Sequence, residues 1–180
     1  WWNGDKDGIS GMVHPGTHFS GVKEGFLRSN SYRRLRFHAH FYNRNYIFPE
    51  IHANTEFGVH IYGPSGEVGF WNASWIFSVR ALEESMAGVS SASLPGIKHE
   101  GKWEQRPHRD RLIWVDGKML SKWNELSGGS GGEDASARML YPVTSAEAEA
   151  VSVFSSFGYR VGDYENWVTI GLDEAKAKRD

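Results

Sequence analysis

Arg33-Arg34-Leu35-Arg36-Phe37-His38-Ala39-His40-Phe41-Tyr42 is the stretch on which the reading of the fold turns. Leu35, Phe37, Ala39 and Phe41 alternate with Arg34, Arg36, His38, His40 and Tyr42. Successive strand side chains point to opposite faces, so the alternation predicts a strand with one apolar and one polar face. Glu56 to Tyr62 repeats the pattern, with Phe57, Val59 and Ile61 expected inward. Tyr46-Ile47-Phe48-Pro49 reads as an apolar turn between the two, and Gly63-Pro64-Ser65-Gly66 as a turn after them. Upstream, a short apolar stretch from Ile9 to His14 stops at Pro15-Gly16. Phe19, Val22 and Phe26 then recur at helical spacing and predict a helix from Thr17 or Ser20 to Ser31. Helix, strand, short connection and strand fit the far end of a doubly wound α/β sheet, where a parallel order finishes with a hairpin.

Downstream the pattern changes. Val68 to Phe77 suits one or two short strands, Phe77 to Met86 a helix, and Val89 to Gly101 a loop rich in Ser, Gly and Pro. Arg111 to Val115 reads as a short strand, followed by a helix capped by Asp116 and running to Leu126, with Leu120 and Trp123 on its buried side. Ser127-Gly128-Gly129-Ser130-Gly131-Gly132 has the composition of a flexible linker. Thr144-Ser145-Ala146-Glu147 is a capping-box signature for a helix to Phe157, with Val151 and Phe154 buried and Gly158 as its stop. A charged helix is expected from Asp173 onward. The division that follows is 1–65, the end of an α/β sheet, and 66–180, a mixed, largely helical region with its flexible stretch at 127–132. The opening Trp1-Trp2-Asn3-Gly4 and the closing Lys176-Ala177-Lys178-Arg179-Asp180 read as cut ends, so the chain is expected to be a piece of a longer polypeptide.

Composition narrows the function classes. Absence of Cys among the 180 residues rules out disulfide scaffolds and thiolate metal sites. A net charge of -2 argues against a uniformly basic nucleic-acid binder while leaving room for local basic patches. No apolar run approaches the roughly 18 residues of a membrane helix, and no signal peptide is visible, so a cytoplasmic location is expected. Eight His invite a metal reading, and His38, His40 and His60 would be its core, as in a metal-dependent hydrolase. That strand carries no Asp or Glu and no HExxH spacing occurs, so a polar sheet face is the preferred reading and no metal is expected. GxSxG, GxGxxG and Walker-type loops are all missing.

The basic clusters say more. Residues 28–44 hold Arg28, Arg33, Arg34, Arg36 and Arg44 with no acid. Residues 96–123 hold seven Lys or Arg against four acids, with Trp103, Trp114 and Trp123 interleaved. Cations neutralise phosphates and aromatic faces stack on bases, so Lys98, Lys102, Arg106, His108, Arg109 and Arg111 are the candidate DNA-backbone contacts.

In order along the chain, His14-Pro15-Gly16-Thr17-His18-Phe19, the Phe37-to-Phe41 strand, Ile47-Phe48-Pro49-Glu50-Ile51-His52, Glu56-Phe57-Gly58-Val59, Leu94-Pro95-Gly96-Ile97-Lys98, Gly101-Lys102-Trp103 with Arg106, His108 and Arg111, and Leu172-Asp173-Glu174-Ala175 with Lys178-Arg179-Asp180 resemble segments of large adenine-specific DNA methyltransferases of bacterial restriction–modification and phage-defence systems. The resemblance implies the distal part of a Rossmann-like methyltransferase sheet, S-adenosylmethionine as the parent enzyme's methyl donor, and DNA and the rest of the same polypeptide as partners. The family's cofactor-binding glycine loop and its Asn-Pro-Pro-Tyr-type motif are both missing; Asn72-Ala73-Ser74-Trp75 is the nearest look-alike and lacks both prolines. Therefore no catalytic or cofactor-binding residue transfers, and this fragment alone is expected to carry no cofactor. The alternative is a non-enzymatic module that binds nucleic acid or protein.

Overall fold

The computed structural model describes residues 8–127 and 136–159. The Gly/Ser stretch from 128 and the expected helix after Asp173 lie outside the described residues. In chain order the elements are β1 (Ser10–His14), α1 (Thr17–Ser20), α2 (Gly25–Tyr32), β2 (Leu35–Tyr42), β3 (Glu56–Tyr62), β4 (Gly69–Ile76), α3 (Val79–Met86), β5 (Lys98–His99), β6 (Lys102–Trp103), β7 (Ile113–Asp116), α4 (Gly117–Leu126) and α5 (Ser145–Phe154).

Five strands form one mixed sheet in the order β1-β3-β2-β4-β7, and β5 and β6 form a separate two-stranded ribbon. The alternating stretch around Phe37 to Phe41 is the central strand. β2 pairs antiparallel with β3, with His38 opposite His60, and parallel with β4, with Phe37 opposite Trp71. β1 and β7 close the two sides by antiparallel pairing to β3 and β4. The fold is thus mixed α/β, with one parallel pair among antiparallel ones. The boundary expected at 65/66 falls in the β3–β4 connection of this single sheet, because β4 lies directly against β2.

Both faces of the sheet are covered. On one, Ala39, Phe41, Phe57, Ala73 and Ile76 pack with Leu82 of α3. On the other, Leu35, Tyr62, Phe70, Ile113 and Val115 pack with Phe19 and Tyr32 of α1 and α2, Leu120 and Trp123 of α4, Met139, and Ala148 of α5. A central strand covered twice buries its polar alternates too: His38 and His40 lie inside the protein, not on a wet sheet face. The polar face predicted for β2 is therefore buried.

Two helix predictions change. The single helix from Thr17 to Ser31 is broken at Gly21, which takes an extended backbone, and α2 begins at Gly25. Glycine holds helix weakly. In addition, the Arg28 side chain donates to the His18 and Gly21 carbonyls, so the end of α1 is capped by a guanidinium. Val22 and Phe26 consequently face solvent, at 81% and 86% exposure, and Phe19 alone of the three is core. In α5 the capping box is present: Thr144 Oγ1 accepts from Glu147 N–H and the Glu147 carboxylate accepts from Val143 N–H. Its core contacts come from Ala148 and Val151. The helix ends at Phe154, which overhangs at 58% exposure instead of being buried.

Asp116 caps α4 as predicted, its Oδ1 accepting from Met119 N–H at 2.9 Å, and Leu120 and Trp123 are fully buried. Urea unfolding should separate these contributions. Asp116→Ala is expected to cost about 1 kcal/mol, and Leu120→Ala about 2–5 kcal/mol through reduced burial and the cavity left behind. Equal small losses would contradict the placement of Leu120 in the core.

Candidate functional site

The chain brings two sets of chemistry-bearing side chains together, and the first is the segment from residue 89 to 111. It is one knitted unit: Ser91 N–H donates to Pro107 O, Glu104 N–H to Ile97 O, His108 N–H to Ser85 Oγ and Arg109 N–H to Ser90 Oγ. Within it the predicted phosphate contacts divide by environment. Arg106 forms a bidentate pair with the buried Glu104 carboxylate, Nη2 donating to Oε2 at 2.5 Å and Nε to Oε1 at 3.0 Å, and reaches Ser93 Oγ. Burial pushes the Glu104 carboxyl up, but the hydrogen bonds from Arg106 outweigh it and hold it below the usual carboxylate range. Arg111 is buried, its Nε donating to Arg106 O, and burial brings its guanidinium down to about 10. His108 Nδ1 accepts from Asp110 N–H and caps the short turn Arg109–Arg111. Lys98, Lys102 and Arg109 face outward.

The outward Lys98 and the half-buried Arg44 meet at Trp103. Lys98 Nζ lies 4.7 Å and the Arg44 guanidinium 4.8 Å from its ring centroid, and Phe77 stacks on it. This junction joins the two basic stretches of the sequence. Two other arginines of the first stretch serve as staples. Arg28 is buried and donates to the carbonyls of Ser136, His18 and Gly21; Arg36 donates to Leu35 and Pro64 carbonyls. A guanidinium offers five donors in a fixed fork, which suits it to collecting carbonyls from separate segments.

The second set is a layer of imidazoles beneath α1. His38 Nδ1 and His60 Nδ1 are 3.0 Å apart. His60 Nε2 lies 3.5 Å from the His14 carbonyl, which only accepts, so Nε2 carries the proton of His60. His60 Nδ1 therefore accepts from His38 Nδ1–H, which leaves the buried His38 Nε2 without a proton or a partner among the described residues. His14 Nδ1 donates to Pro15 O, and its Nε2 accepts from the Tyr62 hydroxyl at 3.3 Å. Further along β2, His40 Nε2 donates to Glu56 Oε2 at 3.1 Å, and Tyr42 donates to the same carboxylate at 2.5 Å. Tyr141 stacks on His40, and its carbonyl accepts from Trp75 Nε1. Trp75 occupies a bulge in β4 at φ 57, a left-handed conformation that a Trp adopts only under constraint.

Burial keeps His18, His38, His40 and His60 neutral. It is the largest cause in each case, bringing His18 down to about 4 and His60 to about 3, and moving His38 and His40 in the same direction. Neighbouring His14 adds to the lowering at His18, His38 and His60, whereas Glu56 partly opposes it at His40. Gly58 makes the convergence sterically feasible: a Cβ there would lie 2.3 Å from His60 Nε2 and 3.1 Å from His38 Cε1. Several of the imidazole nitrogens thus bind one another, backbone or Glu56, while the buried His38 Nε2 and His40 Nδ1 have no partner among the described residues. Among the described residues no group of three or more His, Cys, Asp or Glu is placed to hold a metal ion.

Where β1 meets α2 the layer opens into a groove of about 480 Å³, walled by His14, His18 and Tyr62 and by Met12, Leu27 and Arg34.

Protein-family models, curated proteins and solved structures give no match to this chain.

Sequence reasoning found Lys98, Lys102 and Arg109 as surface cations but missed Arg44 at the same junction. Its signal was position: Arg44 follows β2 directly, so it emerges at the end of the central strand. Reading the imidazoles as a polar sheet face missed their burial, which depends on segments 10–19 and 137–141 folding over them.

Neutral folded-state imidazoles make stability depend on pH. The unfolded chain, with His near its ordinary value of about 6.5, binds more protons than the folded chain below that pH. Stability is therefore complete above about pH 6.5 and falls progressively as pH drops towards the lowered folded values, about 4 for His18 and about 3 for His60. The melting temperature is expected to drop by several degrees from about pH 7.5 to about pH 5. A flat profile over that interval would contradict a buried neutral layer. Gly58→Ala should cost more than about 2 kcal/mol at neutral pH in urea unfolding.

Proposed function

We propose that the chain is part of a site-specific, S-adenosylmethionine-dependent adenine DNA methyltransferase of the restriction–modification or phage-defence kind, acting in the cytoplasm. In this reading the segments that resemble the family come from the end of its doubly wound catalytic sheet and from the region leading to target recognition. Transfer of the methyl group takes place on residues of the parent outside this chain, which lacks the cofactor loop and the Asn-Pro-Pro-Tyr-type motif. The chain's own share is to extend the sheet and to hold the DNA backbone.

One observation carries the backbone role: Arg44 and Lys98 converge on Trp103, next in the chain to the exposed Lys102, and Arg109 is exposed in the same knitted segment. Such cations release counterions when they meet phosphates, and that contribution is independent of base sequence. Arg106 and Arg111 act differently, as the internal frame that sets the loop's shape.

A non-enzymatic protein-binding module is the second reading. It is favoured by Trp71 and Trp114, which pack edge to face at 5.3 Å while each remains 46% exposed. Aromatic residues left open on a sheet face are what a protein interface covers.

DNA binding measured against salt tests the backbone role. With Lys98, Lys102 and Arg109 replaced together by Ala, the slope of log affinity against log salt should fall by about 2–3, at roughly 0.9 for each phosphate no longer neutralised. An unchanged slope in a variant that melts like the original protein would remove the proposal. Arg111→Ala should instead lower the melting temperature, because it leaves Glu104 with one fewer buried cation.

A further inference from the structure

The groove between β1 and α2 combines features that the sheet does not need for its own stability. Its apolar walls are left open: Met12 is 41% exposed and Leu27 55% exposed, and both line the same recess. Beside them stand flat rings in register. His14 stacks on His60 at 3.9 Å and 10°, and His14 and Tyr62 are coplanar in orientation to within 6°. The ring of His18 makes only aromatic contacts among the described residues, with His14, Phe19 and His60. A neutral imidazole carries one donor and one acceptor, so His18 brings both to the recess. The volume, about 480 Å³, falls in the range of small-molecule sites.

We propose that this recess binds one planar heteroaromatic ring of nucleobase size, laid against the His14–Tyr62 stack and over Met12 and Leu27, with His18 hydrogen-bonding to its edge. The ring needs apolar, flat surroundings on its faces and paired donor and acceptor groups on its rim, and the recess offers both. An aliphatic chain would leave the His18 nitrogens unmatched, and a bare anion could meet Arg34 at the wall but would leave the stacked rings, Met12 and Leu27 uncovered. The same chemistry is present in a free nucleoside and in an unstacked base of a single strand. The proposal stands apart from the backbone-contact reading, since Lys98, Lys102 and Arg109 are not among its walls.

Ring signals of His14 and His18 in two-dimensional NMR of the full chain report on the site directly. Adenosine is the first probe, with inorganic phosphate as the control and a short single-stranded oligodeoxyadenylate as the competitor. Expected are saturable shifts of both imidazoles by adenosine below roughly 10 mM and none by phosphate. Leu27→Lys, at an exposed position that leaves the core intact, should weaken binding at least about tenfold, and His18→Phe should weaken it while retaining the stack. Displacement of adenosine by the oligonucleotide assigns the ring to a strand, and failure to displace it assigns the ring to a free nucleoside; either supports the site. Absence of saturable shifts, equal shifts with phosphate, or unchanged binding in a folded Leu27→Lys variant overturns it. The salt slope of the Lys98, Lys102 and Arg109 variant is unaffected by any of these outcomes, so the two readings fail separately.

Discussion

The hydrogen bond from His38 to His60 is the interaction on which the rest of this molecule depends. It joins the two strands at the middle of the sheet, inside the protein, and it exists only while His60 Nδ1 carries no proton. Placing polar rings there is costly, since an unmatched buried group costs about 1–3 kcal/mol. His38 Nε2 and His40 Nδ1 go unmatched among the described residues, and the other nitrogens of these rings are matched one atom at a time. The His14 carbonyl takes the proton of His60, Glu56 takes that of His40, and Gly58 gives up a side chain to let the rings meet. Helix α1 and residues 137–141 then shut water out, which is the condition that keeps the rings neutral. The layer is a polar core, and its specificity comes from donor–acceptor matching where an ordinary core relies on shape.

The arginines show the same economy of groups. Three arginines of the two basic stretches gather backbone carbonyls, near and far in the chain. Arg28 ties Ser136 to the α1 turn, Arg36 holds Pro64, and Arg111 holds Arg106. Such bonds close loops that would otherwise leave carbonyls unsatisfied inside the protein. At Trp103 one cation from each basic stretch meets the same ring, Arg44 from the first and Lys98 from the second.

Local signals in the sequence were legible where the physics is local. Alternation located β2 and β3, and side-chain caps located the starts of α4 and α5, because each depends on neighbours within a few residues. The break at Gly21 and the exposure of Phe26 were not legible, because the Arg28 clamp that caps α1 there also holds Ser136, far along the chain. The same limit explains the misjudged face of β2. Whether His38 meets water is decided by elements more than a dozen residues away on either side. Of the candidate phosphate-binding residues, charge picked out the cations but could not separate Arg109, which faces outward, from Arg111, which faces inward. Their separation comes from the turn that His108 caps.

The connection from β3 to β4 spans residues 63–68, and it passes across the end of β2, since β2 lies between the two strands it joins. Gly63 and Gly66 donate to the carbonyls of Arg34 and Arg33, so this strap is fastened to the chain it crosses. An order of assembly follows. With so short a tether, the central strand must already be seated against one neighbour before the other can arrive, and it cannot be threaded in afterwards. Severing the chain within the strap, at the exposed Ser65, would release β4 from that order while leaving every ladder hydrogen bond available. Folding of the severed protein would then be limited by the encounter of two pieces, and its rate would depend on concentration where that of the intact chain does not.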